Sequence, residues 1–152
     1  MSPEKRLFEM GLELPRLTAP SATFLRYKQV GNLLYLSGQG ARDQHGALLI
    51  GKLGRDIDVE EGYRRARTIG LQLLAAAREA LGSLDRVVEV VKVFGMVNAE
   101  ADFVDHPAVI NGCSDLLVEV FGEAGRHARS AVGMGSLPAG ISVEIEAIFA
   151  VR

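Results

Sequence analysis

The chain has 152 residues, a length that suits one domain with a sizeable core. Hydrophobic residues make up 48% of it, which excludes a disordered chain, and no apolar run approaches the ~20 residues that span a membrane. The net charge of −2 argues against a nucleic-acid-binding protein, and the single cysteine excludes an internal disulfide framework. We therefore expect a cytoplasmic protein with neither a membrane nor a nucleic-acid partner.

The N-terminal part of the chain predicts an extension followed by a hairpin. Residues 3–12 are amphipathic and predict a helix or turn that packs loosely. Residues 24–30 and 33–39 predict two strands, and Gly31-Asn32 between them is a two-residue hairpin signal because both residues tolerate positive φ. The second strand ends in small residues, 37–40, where a backbone or a ligand can approach closely.

The clearest helix follows a loop that has room for one short strand at residues 47–50. The helix starts at Asp58, which has capping-box spacing to Glu61, and Gly82 is placed to stop it. Apolar residues recur between these ends at helical spacing, which predicts one buried face.

A long strand and a second helix come next. Residues 87–98 form a strand that is apolar on both faces, and residues 102–121 predict a helix with Pro107 in its first turn.

The last stretch, residues 126–151, predicts two neighbouring strands joined by a Leu137-Pro138 turn. Period-2 alternation in the second strand places Glu144 and Glu146 on the face opposite its apolar residues. A basic cluster containing Arg129 lies one strand earlier. These charges predict either a pocket for a small carboxylate with a positioned water or a structural ion pair at a strand end.

The resulting order is ββ(β)αβαββ, an α+β fold with two helices packed on one face of a mixed sheet. Two helices leave the other face of the sheet uncovered, although the central strand is apolar there too. We therefore predict an obligate homo-oligomer, because another copy of the chain is the simplest partner that would bury this face of the sheet.

Several short motifs, in this order and spacing, resemble the Rid family of reactive intermediate deaminases, also called YjgF-like or L-PSP-type proteins. The resemblance spans residues 22–152 of a single domain and leaves residues 1–21 as an N-terminal extension. The motifs are residues 31–39 (GNLLYLSGQ), residues 129–132 (RSAV), Leu137-Pro138, and residues 143–147 (VEIEA).

The resemblance implies a chorismate-mutase-like fold, a homotrimer and a ligand cleft at each subunit interface. It implies hydrolysis of 2-imino or 2-enamino acids to 2-keto acids and ammonia, without metal or cofactor. By position, Arg129 would grip the substrate carboxylate and Glu144 would orient the attacking water. The cleft would also be lined by Ser37, Gly38 and Asn111.

The chain departs from the family pattern at two positions of this cleft. Ala131 stands where active deaminases carry a cysteine, and Phe24 stands where they carry a tyrosine. Both departures favour an alternative hypothesis, a non-catalytic trimer that binds a small carboxylate as a sensor. A third hypothesis, an endoribonuclease, is disfavoured by the acidic composition.

The remaining candidate groups predict no further chemistry. Cys113 lies at a helical position and is expected to be a small buried residue rather than a nucleophile. The three histidines make no metal-ligand spacing, so we predict no metal site. His127 neighbours Arg129 and is either a helper at the cleft or a surface residue.

Overall fold

The computed structural model describes all residues, 1–152, and contains three helices and five strands. The helices are α1 (Pro3–Glu9), α2 (Val59–Leu81) and α3 (His106–Phe121). The strands are β1 (Tyr27–Val30), β2 (Leu33–Gly40), β3 (Val87–Asn98), β4 (Ala128–Met134) and β5 (Val143–Val151). None of the helices combines the length and apolarity needed to cross a bilayer.

The five strands form one mixed sheet in the order β1-β2-β5-β3-β4. The central strand β3 runs antiparallel to β5 and parallel to β4. Between β4 and β5 the chain passes the end of β3, so these consecutive strands are not neighbours. The prediction that they adjoin each other is therefore wrong.

One face of the sheet packs against α2 and α3 and forms the core, in agreement with the predicted α+β architecture. Alternate residues of β5 supply the middle of this face, namely Val143, Ile145, Ala147, Phe149 and Val151. The two helices approach each other closely at Gly112 of α3, where a Cβ would collide with the carbonyl oxygen of Tyr63. The spacing of the helices thus depends on a residue without a side chain.

The other face of the sheet has no helix on it. Its apolar side chains include Tyr35, which is 43% exposed, and Val132, which is 38% exposed, together with the half-buried Phe94 and Ile148. Large apolar side chains left exposed or half-buried on one face of a sheet are typical of an interface. It supports the expectation of an oligomer, which remains a prediction.

The predicted helix ends agree with the structure at α2 and differ at α3. The Asp58 side chain accepts a hydrogen bond from the Glu61 amide, and Gly82 ends α2 in the left-handed conformation at φ 82°. α3 starts at His106 rather than at residue 102. The residues before it form a turn, in which the Phe103 amide donates a hydrogen bond to the Glu100 carbonyl.

Two predicted strands are shorter than expected. β1 starts at Tyr27 instead of residue 24, because β2 bulges between Leu36 and Gln39 and the preceding segment cannot stay in register. Residues 47–50 make only two isolated bridges, Arg42 with Leu48 and Ile50 with Ile141.

The N-terminal helix packs tightly, so the expectation of loose packing is wrong. Leu7 is 2% exposed and belongs to the core. The Glu4 carboxylate pairs with Arg78 at 2.6 Å and accepts the Leu84 amide at 2.8 Å, and these contacts lower the pKa of Glu4 against the opposing effect of its burial. α1 therefore anchors the segment that follows it, residues 10–26, which we call the strap.

Candidate active site

Arg129 lies on the edge strand β4 and points to the helix-covered face of the sheet. Its Nη1 donates to Oδ1 of Asn111 at 2.8 Å and to Oγ of Ser114 at 3.2 Å, both on α3. Its Nε and Nη2 make no hydrogen bond within the chain, and no carboxylate lies within salt-bridge distance. One side of a half-buried guanidinium is thus held by neutral oxygens, and the other side is free to bind an anion.

His127 and Ser114 form a second layer behind this arginine. The Nδ1 of His127 lies 2.7 Å from the carbonyl oxygen of Gly125, which can only accept, so Nδ1 carries the proton. Nε2 then accepts from the hydroxyl of Ser114 at 2.9 Å. Burial, with a smaller contribution from the charge of Arg129, lowers the pKa of His127. A neutral His127 therefore orients Ser114, which in turn orients Arg129.

These side chains line a shallow surface pocket of about 580 Å³ at the β4 edge. We call it the arginine pocket; its lining residues are Asn111, Ser114, Asp115, Val118, Glu119, Arg126, His127 and Arg129. The structure thus brings together Arg129 and Asn111, two of the residues that the sequence assigned to one cleft.

Glu144 lies on β5, on the uncovered face of the sheet. Its carboxylate sits against the backbone of Gly38, where a Cβ would collide with its Oε2. Burial, and secondly the like charge of Glu146, raise the pKa of Glu144. A carboxyl group with a raised pKa and no cation beside it is suited to exchange a proton with water.

The structure keeps Arg129 and Glu144 apart within one chain, which corrects the prediction that neighbouring strands bring them together. β3 lies between their strands, with Arg129 opposite Val93 and Glu144 opposite Met96. Residues three apart on β3 face opposite sides, so the two side chains lie on opposite faces of the sheet. The alternative of a structural ion pair is wrong for the same reason.

The other residues assigned to the cleft divide between the two regions. Ser37 and Gly38 lie at the β2 bulge beside Glu144, and the hydroxyl of Ser37 donates to the carbonyl of Leu25. Phe24 is 56% exposed in the strap. Ala131 follows Arg129 on the same face of β4 and lies opposite Gly95.

Sequence reasoning missed Ser114, although a signal was available. Ser114 follows Asn111 by three residues, and that spacing puts both side chains on one face of a helix. It also did not single out Gln39 and Gln72, whose contacts join residues distant in the chain and carry no sequence signature.

Other groups of the molecule offer no competing catalytic centre. Cys113 is buried between α2 and α3, and burial raises the pKa of its thiol to about 12. No three histidine, cysteine, aspartate or glutamate side chains cluster as a metal site would require.

Comparisons with known proteins agree with this architecture. Residues 4–149 match the family described as "YjgF/chorismate mutase-like, putative endoribonuclease". Protein TCP17 of Trypanosoma cruzi is 42% identical over 143 residues, which cover 93% of this chain and 89% of that protein.

Two solved structures extend the comparison. The protein Atu1372 of Agrobacterium tumefaciens, described as having unknown function, is 42% identical with a TM-score of 0.89, covering 99% of this chain and 94% of its own. RidA of the Antarctic bacterium Psychrobacter sp. PAMC 21119 is 28% identical with a TM-score of 0.60, covering 88% and 92%. The resemblance to the Rid family is thereby confirmed, and the chain belongs to the YjgF/chorismate mutase-like family.

Proposed function

We propose that the protein hydrolyses 2-imino or 2-enamino acids to 2-keto acids and ammonia, at a site shared between copies of the chain. The observation that carries the proposal is the unsatisfied side of Arg129. Burying part of a guanidinium without an anionic partner is costly, and a substrate carboxylate that accepts from Nε and Nη2 would offset that cost.

The positions of the two charged groups support a shared site. Arg129 is on β4, at one edge of the sheet, whereas Glu144 pairs with Gly40 on β2, towards the opposite edge. An arrangement in which the β4 edge of one copy meets the β2 side of the next would place both groups in each cleft. Such a head-to-tail contact closes into a ring, and we propose a homotrimer whose uncovered sheet faces meet inside it.

The chemistry needs few groups once the substrate is held. Arg129 would fix the carboxylate and leave C2 of the imine open to a water oriented by Glu144 of the neighbouring copy. As the water oxygen bonds to C2, Glu144 takes a proton from the water, and the imine nitrogen takes one from solvent to become an amino group. Glu144 then gives its proton to that amino group, the C2–N bond breaks as the hydroxyl proton passes to solvent, and the 2-keto acid and ammonia leave.

Replacement of Glu146 should alter the pH dependence of this reaction. Glu146 is the second cause, after burial, of the raised pKa of Glu144, so Glu146→Gln should lower that pKa. Activity that needs the Glu144 carboxylate is lost as pH falls through its pKa, so the acidic limb of the kcat profile should move to lower pH. An unchanged limb would remove Glu144 from the proton transfer.

The raised pKa of Glu144 also determines how the stability of the fold changes with pH. Because the fold disfavours the charged form of Glu144, its contribution to stability is present below the ordinary glutamate pKa and is lost as pH rises through the raised value. Glu146→Gln should therefore flatten the pH dependence of unfolding in this range, which chemical denaturation at a series of pH values would measure.

A non-catalytic role is the second candidate. It is favoured by Ala131 and by the exposed Phe24, which stand where the active deaminases of the family carry a cysteine and a tyrosine. In that case a 2-keto acid would raise the melting temperature without any turnover of the imino acid.

The direct test follows the decay of 2-imino acids generated by an amino-acid oxidase, with and without the protein. Acceleration in proportion to protein concentration supports the proposal. Thermal stabilisation by 2-keto acids with no acceleration would support the binding protein instead. Cleavage of RNA at low salt, where phosphate contacts are strongest, would point to the endoribonuclease named in the family description.

A further inference from the structure

A second cavity opens beneath the strap, and its function is not assigned by the proposal above. Its volume is about 480 Å³, within the range of small-ligand sites. Its walls are strap residues 15–21, Phe24 and Arg26, the end of β2, the loop after β2, and Thr68 and Gln72 of α2. Ser37 and Gly38 also line it, and Gly38 touches Glu144, so the strap cavity adjoins the group proposed to orient water.

The strap cavity carries an excess of positive charge. Arg16, Arg26 and Arg42 line it, against one acid, Asp43. Arg26 is paired with Glu79 at 2.8 Å, whereas Arg16 and Arg42 have no carboxylate partner. The guanidinium of Arg42 donates only to the carbonyl of Gly46, at 2.8 Å.

The single acid of the cavity is already occupied. Asp43 accepts the backbone amides of His45 at 2.8 Å and Ala47 at 3.0 Å. Both hydrogen bonds lower the pKa of Asp43, the one from Ala47 more strongly, and so keep its carboxylate ionised. The carboxylate thereby stabilises the loop. It therefore does not neutralise Arg16 or Arg42 by direct contact.

Two glutamine side chains of the cavity wall, Gln39 and Gln72, are held by hydrogen bonds. Oε1 of Gln72 accepts the Arg42 amide at 3.0 Å, which fixes the orientation of the Gln72 side chain. Its Nε2 then donates to Oε1 of Gln39 and to the carbonyl of Gly40. Gln39 is thereby oriented as well, and its buried Nε2 has no partner.

We propose that the strap cavity binds a second carboxylate of the substrate, so that the preferred substrates are 2-imino acids with an acidic side chain. This inference rests on the proposed function for the reacting end of the substrate. Two guanidinium groups without anionic partners provide positive charge and hydrogen-bond donors, the chemistry that an oxyanion needs. Because the cavity adjoins Glu144 through Gly38, a single ligand can have its side chain there and its reacting carbon at the shared cleft.

The test compares two substrates of equal carbon number that differ in the distal carboxylate. An amino-acid oxidase would generate the imino acids of glutamate and of norvaline, and their hydrolysis would be measured with the wild type and with Arg42→Gln. Arg64→Gln is the matched control, because Arg64 lies on the exposed side of α2 and pairs only with Glu61. Arg16→Gln is a second cavity variant, remote from the Arg42 backbone contacts.

We expect the wild type to prefer the glutamate-derived imino acid by at least about tenfold, the effect of one charge-assisted hydrogen bond. Arg42→Gln or Arg16→Gln should lower that preference about tenfold, whereas Arg64→Gln should leave it unchanged. Equal hydrolysis of both substrates by the wild type would overturn the inference while leaving the proposed function intact.

A binding measurement separates the two proposals if no hydrolysis is found. Calorimetry would compare 2-oxoglutarate with 2-oxopentanoate as probes for the wild type and the same variants. Tighter binding of the dicarboxylate that is lost in Arg42→Gln would support the cavity assignment even though the deaminase proposal had failed. Equal affinities, or stronger binding of inorganic phosphate than of the dicarboxylate, would overturn it.

Discussion

Replacement of Arg129 by glutamine should lower kcat/KM for imino-acid hydrolysis about 10²–10³-fold. The free side of the guanidinium, Nε and Nη2, would offer two charge-assisted hydrogen bonds to the substrate carboxylate, each worth about 1.5–3 kcal/mol. Because about 1.4 kcal/mol corresponds to a factor of ten in rate, the loss of both bonds reaches that range even after partial compensation by solvent.

Two further variants test the cause of this loss. Arg129→Lys keeps the charge but lacks the planar fork, so it should recover only part of the activity. Arg64→Gln removes an arginine charge on the exposed side of α2 and should behave like the wild type. Full activity of Arg129→Lys would show that charge alone suffices, and full activity of Arg129→Gln would refute the assigned role.

Replacement of Gly112 by alanine should destabilise the fold by about 3 kcal/mol, near the upper end for overpacked cores. The new Cβ would collide with the carbonyl oxygen of Tyr63, which is backbone and cannot rotate away. The helix-favouring effect of alanine, about 1 kcal/mol, offsets only part of the collision. For a chain of this size we expect the melting temperature to fall by about 6–12 °C, measurable by calorimetry.

The same substitution should also impair function, because Gly112 lies next to Asn111. Displacement of α3 would move both oxygens that hold Arg129. Gly135→Ala is the matched control, since Gly135 has open space around its Cβ position and no left-handed backbone, and it should change stability by no more than about 0.5 kcal/mol. Equal melting temperatures for the two variants would contradict the close contact of α2 and α3.

Local features of the sequence were sufficient to predict most of the elements. The Asp58 cap and the Gly82 stop define α2 within the chain itself, and the Gly31-Asn32 turn fixes the β1–β2 hairpin. Alternation along β5 correctly separates its core face from the face that carries Glu144. Each of these signals depends on residues within a few positions of one another.

Strand order could not be obtained in this way. The short connection after Met134 suggested that β4 and β5 pair, but β4 instead runs parallel to β3, and β5 lies between β2 and β3. The choice depends on which strand α3 covers, a contact between distant parts of the chain. This one difference moves Arg129 and Glu144 from a common pocket to opposite faces of the sheet.

The side-chain hydrogen-bond networks could not be predicted from the sequence, for a related reason. Ser114 and His127 meet through the packing of α3 on β4, and Gln39 meets Gln72 through the packing of α2 on β2. The anchoring of α1 by the Glu4–Arg78 pair also joins residues 74 positions apart. Such contacts are decided by tertiary structure and leave no periodic pattern in the sequence.

The central claim, a site that takes Arg129 from one copy and Glu144 from another, is tested most directly by mixing two inactive variants. Arg129→Gln and Glu144→Gln would be produced together with different affinity tags, and only assemblies containing both would be assayed. A mixed trimeric ring contains two copies of one variant and one of the other, so one of its three clefts pairs an intact Arg129 with an intact Glu144. About a third of wild-type activity should therefore return. Mixed assemblies as inactive as either parent would show that both residues act from one chain, and would contradict the shared site.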